Sequence, residues 1–238
     1  MSDGSSMTRG PRPPGVSVKR SAPGWATIPT LLLALFGPPL LAIVGRRTVG
    51  DSTDPARLLP LDLTLWAILG VVLWVVVRVE RQPPSSIGLR RPRWSTIAWA
   101  VVLLVGISFV IVPVTLRLAQ AAGLPGYEKG LASLMRLPAW YRVFLAVSAG
   151  VVEEVLYRGY AVERLTTLTG SAWRGGTLAV IVFTLAHLPV WGIGPLPVFF
   201  VASAVATAFY MWKRDLVALM IAHALGDAIG LVWLPPVG

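Results

Sequence analysis

The sequence predicts an all-α fold: a polytopic bundle of about seven transmembrane helices with one interfacial amphipathic helix. Three observations predict it. Hydrophobic residues make up 55% of the 238 and charged residues 13%, about half the quarter that a soluble domain carries. Mean hydropathy is +0.71. Apolar runs approaching the roughly 20 residues needed to cross a bilayer recur along most of the chain.

The elements follow in order. Residues 1–24, rich in Pro, Gly, Ser and Arg, read as a disordered basic tail. The apolar run after it starts too late and is too long for a cleaved signal peptide. Residues 25–120 hold the first transmembrane helices, on runs 25–44, 61–77 and 94–116. Residues 121–238 form a second part, with runs 143–162, 177–188, 197–212 and 216–233. The segment 126–142, "GYEKGLASLMRLPAWYR", reads as an amphipathic helix lying at the interface.

The net charge of +10 belongs to loops that fix topology and meet anionic lipid. No basic helix or aromatic–basic interleaving points to nucleic acid. The 10 Trp suit aromatic belts at the two interfaces. There is no Cys, which removes disulfides, thiolate ligands and a Cys nucleophile. Alternate loops hold unequal shares of the 21 basic residues. One set has Arg9, Arg12, Lys19 and Arg20, then Arg78, Arg81, Arg90, Arg91 and Arg93, then Arg158, Arg164 and Arg174, then Lys213 and Arg214. The other has Arg46, Arg47 and Arg57, then Arg117, Lys129, Arg136 and Arg142. The rule that basic loops stay inside puts the N-terminus in the cytoplasm. The expected setting is a multi-pass protein of a bacterial cytoplasmic membrane, with the lipid bilayer as its constant partner.

Away from the loops, ionisable residues cluster in three segments. The run 143–162 carries Glu153, Glu154 and Arg158; 177–188 carries His187; 216–233 carries His223 and Asp227. A charge at mid-membrane costs about 2.5–3.5 kcal/mol on insertion scales, so their gathering points to one polar site where three helices converge. Glu154 and Arg158 are four apart and can pair on one helix face. Glu153 sits about 100° round the helix and is the freer carboxylate. His223 and Asp227 are also four apart. At about 1.5 Å per residue the set lies roughly 7 to 20 Å from the basic edge, within reach of one cavity opening there.

Two imidazoles and a carboxylate are the donors of a catalytic zinc site, in which the metal lowers the pKa of a bound water and a carboxylate takes its proton. Here Glu153, His187 and His223 would be the ligands, from three separate helices. No HExxH and no GxSxG elbow is present.

"EEVLYRG" with Glu153, Glu154 and Arg158 fits EExxxR; "FTLAH" with Phe183 and His187 fits FxxxH; "HALGD" with His223 and Asp227 fits HxxxN/D. In order and spacing these resemble the CPBP family of intramembrane proteases, which includes the CAAX prenyl endopeptidases and the bacterial Abi proteins. "SIGLRRPRW" at 86–94 resembles a stretch that precedes a span in bacterial members. The resemblance covers about 140–234. It implies a membrane endopeptidase that cuts membrane-bound peptides or proteins, taking them from the cytoplasmic side. Glu153 would activate water, with His187 and His223 holding a zinc ion or the water itself. Glu154 and Arg158 would support, and Asp227 would occupy a place often held by an oxyanion-stabilising Asn. Two other readings stay open: a non-catalytic membrane protein, such as a bacteriocin self-immunity factor or a partner-binding scaffold, and a proton-coupled transporter. Oligomeric state has no signature in the sequence.

Overall fold

The computed structural model of the protein describes residues 24–233. The basic tail expected over 1–24 therefore lies, save Gly24, outside the described residues. Among those described there are eight helices and no strand. They are α1 Thr27–Thr48, α2 Pro55–Val79, α3 Trp94–Ala121, α4 Glu128–Leu134, α5 139–169, α6 Ala172–Ala186, α7 Leu196–Lys213 and α8 216–233. A short turn of helix, Leu188–Trp191, extends α6.

The all-α membrane bundle is borne out. Five helices are long and apolar enough to cross a membrane: α1, α2, α3, α6 with its extension, and α7. The other two candidates in the count of about seven are α5 and α8, which carry Glu153, Glu154, Arg158, His223 and Asp227. Charge lowers the apolarity of α5, and the apolar stretch of α8 is shorter, Leu216–Val232. The segment expected to form one interfacial helix over 126–142 is instead broken. It forms α4, a turn, and the first residues of α5, because Pro138 adopts extended backbone and starts a new helix.

Local chemistry sets the helix ends. Asp54 caps α2, accepting a bond from the Ala56 amide at 3.0 Å, with Pro55 in the first turn. Asp215 caps α8 through the Ala218 amide at 3.2 Å, and its second oxygen accepts from Thr96 Oγ1 at 2.8 Å, which fixes the start of α8 against the start of α3. Gly170, at φ +67°, stops α5 in the left-handed region that glycine tolerates.

α5 is the central element. Every residue from Glu154 to Val162 is buried, packed among side chains of α1, α2, α6, α7 and α8. The close approach of α8 depends on Gly150: a Cβ there would stand 2.5 Å from the Ala224 backbone nitrogen. The outward faces are apolar, with Phe36, Val71, Val102, Phe109, Leu118 and Phe200 exposed, as lipid-facing surfaces are.

Two polar knots tie helices together. Glu80, at the end of α2, accepts from two nitrogens of the Arg164 guanidinium, Nε and Nη2, and from the Tyr160 hydroxyl at 3.0 Å. Asp62, which the sequence placed at the margin of a segment read as free of interior charge, lies well inside α2 and accepts from Tyr141 of α5. A neutral phenol partner is invisible to a search for opposite charges.

Candidate active site

The middle of α5 departs from α geometry. Over Ala149–Ala161 it is a π-helix, closed by Val162 N–H donating to Tyr157 O five residues back. Such widened turns are rare and recur at functional sites. This one carries all three charged residues of the EExxxR motif. Adjacent carboxylates still diverge, and they meet different partners.

Glu154 points into the protein. Its Oε1 accepts from Arg158 Nη1 at 3.0 Å and lies 2.8 Å from His223 Nδ1. The pair of Glu154 and Arg158 expected from their spacing is present, and both side chains are almost wholly buried. Glu154 Oε2 is a buried oxygen without a hydrogen-bond partner. Arg158 is held on two further sides. Its Nη2 donates to Ser203 Oγ of α7 at 3.0 Å, and its guanidinium lies 3.9 Å from the centre of the Phe183 ring. Stacking on an aromatic face offsets part of the cost of burying the cation.

Glu153 points to α6. Its Oε2 is 4.0 Å from His187 Nε2. His187 Nδ1 lies 2.8 Å from the Phe183 carbonyl. A carbonyl only accepts, so Nδ1 carries the proton and a neutral ring turns its Nε2 lone pair to Glu153. Phe199 of α7 covers that ring, with centroids 4.1 Å apart. Asp227 stands beside His223, Oδ2 to Nε2 at 3.5 Å. Above it is Tyr127, in the turn before α4. Burial and the nearby Asp227 carboxylate push the Tyr127 phenol up, so it stays a neutral hydroxyl.

All six expected residues thus gather where α5, α6 and α8 meet, but in two groups. Glu153 faces His187, and Glu154 faces His223, Arg158 and, through the ring, Asp227. The expected zinc ligands Glu153, His187 and His223 do not fit a metal as arranged. The nitrogens of His223 face Glu154 and Asp227, and among the described residues no three His, Asp or Glu side chains are grouped to hold a metal ion. The residues that sequence reasoning missed are Gly150, Ser203, Phe199 and Tyr127. Nothing distinguished Ser203 from other small residues of an apolar helix. The signal of Gly150, a glycine next to the motif, was present but has no specificity alone.

Toward the basic edge, where the sequence put the opening of a cavity, α5 is buried without interruption from Glu154 to Val162. Exposure rises on the other side, to 42% for the Asp227 side chain. Arg158, counted among loop charges in sequence, is inside the bundle.

Residues 135–229 match the model of a family described as Rce1-like, type II CAAX prenyl endopeptidase, the CAAX protease type that the three motifs resemble. All six site residues fall inside the match. No curated protein matches the chain, and no solved structure does.

Proposed function

We propose that the protein is an intramembrane endopeptidase that hydrolyses peptide bonds of membrane-associated substrates, with Glu153 as general base. The observation that carries this reading is the 4.0 Å separation of Glu153 Oε2 and His187 Nε2. It is longer than a direct hydrogen bond and is the spacing that a bridging water takes up.

The chemistry follows from the groups present. A water between Glu153 and His187 gives a proton to the Glu153 carboxylate as its oxygen attacks the scissile carbonyl. The new C–O bond forms, the carbonyl electron pair moves to oxygen, and the oxyanion needs a donor. His223 supplies it: Nδ1 is anchored on Glu154 and Nε2 faces outward beside Asp227. Asp227 orients the ring, a role that suits a carboxylate where an amide would donate by itself. Glu153 then returns its proton to the leaving amine as the C–N bond breaks. Glu154 and Arg158 do not touch the substrate; they hold His223.

The test is cleavage of a membrane-anchored peptide by the purified protein and by Glu153→Gln. Loss of cleavage with an unchanged thermal transition supports the assignment. Equal cleavage by both would remove Glu153 from the mechanism. Cleavage by neither favours a non-catalytic scaffold.

A further inference from the structure

His187 stands where α6 gives way to the turn Leu188–Trp191, so its ring is oriented by contacts from other segments. One hydrogen bond, from Nδ1 to the Phe183 carbonyl at 2.8 Å, holds one atom of that ring. A ring held at one nitrogen can still tilt about the bond and carry Nε2 with it. Phe199 of α7 supplies a second restraint. Its ring lies 4.1 Å from the imidazole, centroid to centroid, at an angle of 31°. Phe183 meets the same imidazole less closely and less flatly, at 4.6 Å and 57°. Phe183 is also engaged elsewhere, with the Arg158 guanidinium 3.9 Å from its centre and Tyr157 edge-on at 5.0 Å. The flatter face on His187 is therefore that of Phe199, and a flat ring laid on another opposes its tilt.

Phe199 is itself held. Tyr127 meets it edge-on, with centroids 5.7 Å apart at 79°, and Trp191 stands 5.9 Å away. Tyr127 and Trp191 also meet each other edge-on, at 5.5 Å. Trp191 rests on Gly130 of α4, where a Cβ would stand 2.3 Å from the indole Cε3. Beyond Trp191's own turn, Arg46 Nη1 donates to the Pro189 carbonyl at 2.8 Å and ties that turn to α1. The ring that covers His187 is thus fixed from two further segments, the turn before α4 and the turn after α6.

We propose that Phe199 is a positioning residue for hydrolysis: its ring holds the His187 imidazole in the plane that turns the Nε2 lone pair to Glu153. It acts through the histidine and not on the substrate. This rests on the peptidase reading, in which water spans the 4.0 Å between His187 Nε2 and Glu153 Oε2, and it deepens that reading. A water bridged between two groups is placed by both of them. A shift of Nε2 by about 1 Å is of the size that costs about a hundredfold in rate.

The chain has two histidines, which makes the test direct. The full-length protein is labelled with ¹⁵N-histidine in detergent micelles, and the ring-nitrogen signals of His187 are assigned by their loss in His187→Asn. Three variants are compared with the parent. Phe199→Leu keeps an apolar side chain but has no flat face, and Phe199→Tyr restores the face. Phe209→Leu is the control: the same change on the same helix, ten residues further on, toward the arginine-rich end where Arg164 and Arg214 are paired. The Phe209 ring packs on Trp99 at 5.6 Å. The parent, Phe199→Tyr and Phe209→Leu are expected to give one sharp set of His187 signals with the proton on Nδ1. Phe199→Leu is expected to give broadened or doubled signals, with kcat on a membrane-anchored peptide at least about tenfold lower and KM unchanged. Should Phe199→Leu not fold, Phe199→Met is read in its place. Sharp, unshifted His187 signals in the folded variant overturn the proposal. So does an equal fall in kcat in Phe209→Leu, which would mean a general loosening of α7, or a rise in KM alone, which would put Phe199 against the substrate. A fall in Phe199→Tyr as deep as in Phe199→Leu does the same. The ring signals need no catalysis, so signals that change as expected in a protein that never cleaves would sink the peptidase reading while the hold of Phe199 on His187 stands.

Discussion

His223 Nδ1 lies 2.8 Å from Glu154 Oε1, so the histidine of α8 answers to the second glutamate of the EExxxR motif and not to the first. That one contact splits two chemically identical neighbours into different tasks. Glu153 is left facing His187 at 4.0 Å, and Glu154 becomes the shared acceptor for a ring and a guanidinium. The two should therefore fail differently. Glu153→Gln is expected to abolish cleavage with little change in thermal stability. Glu154→Ala leaves Arg158 buried without its partner, which costs about 3–5 kcal/mol when a buried pair is broken. Thermal unfolding in detergent micelles, measured beside cleavage, separates the two; similar melting of both variants would contradict the division.

The meeting of α5 and α8 at Gly150 leads to a second expectation. The space for a Cβ is occupied by backbone, with the Ala224 nitrogen 2.5 Å away, and backbone cannot swing aside as a side chain can. Gly150→Val should push α8 outward and draw His223 off Glu154. Overpacking of this kind costs about 1–3 kcal/mol, but the loss of cleavage should exceed what partial unfolding explains. Cleavage per folded molecule is the measurement, and full activity in a folded Gly150→Val protein would show that this contact does not set the site.

Much of this was legible in the sequence, and the gaps have physical causes. The fold class follows from hydropathy alone, because a bilayer forces buried backbone into helices. The six candidate residues were legible because charge inside a membrane is costly enough to stand out in an apolar run. The pairing of Glu154 with Arg158 follows from a spacing of four. What the sequence does not carry is which way each carboxylate turns between partners on other helices. Glu153 and Glu154 differ by one position, and only the placement of α6 and α8 decides that His187 meets one and His223 the other. Asp62 stayed hidden for the same reason, its partner being a tyrosine on a distant helix.

The division of the cluster also bears on metal dependence. A zinc site of the His₂Glu kind needs both histidines free to turn to one point. His223 has Nδ1 on Glu154 and Nε2 beside Asp227, while His187, with Nδ1 on the Phe183 carbonyl, turns its Nε2 to Glu153, so the two Nε2 atoms face different carboxylates. Cleavage by the purified protein should therefore survive dialysis against a strong chelator, and bound zinc measured by elemental analysis should be well below one per chain. Loss of cleavage on chelation, restored by added zinc, would mean that the side chains rearrange around a metal.

The knot at the arginine-rich end should matter for stability and not for chemistry. Glu80 of α2 accepts from Arg164 and Tyr160 of α5 and also from Thr27 of α1 at 3.3 Å, so one carboxylate joins three helices. The Glu80 and Arg164 side chains are 10% and 13% exposed, buried enough for the pair to be costly to break. Removing Arg164 by Arg164→Ala strands the carboxylate and should cost about 3–5 kcal/mol. Tyr160→Phe removes one hydrogen bond to a charged acceptor and should cost about 1.5–3 kcal/mol. Neither residue belongs to the Glu153–His187 group, so the fraction that remains folded should cleave at the parent rate. A fall in rate per folded molecule in Tyr160→Phe would mean that this end communicates with Glu153 through α5.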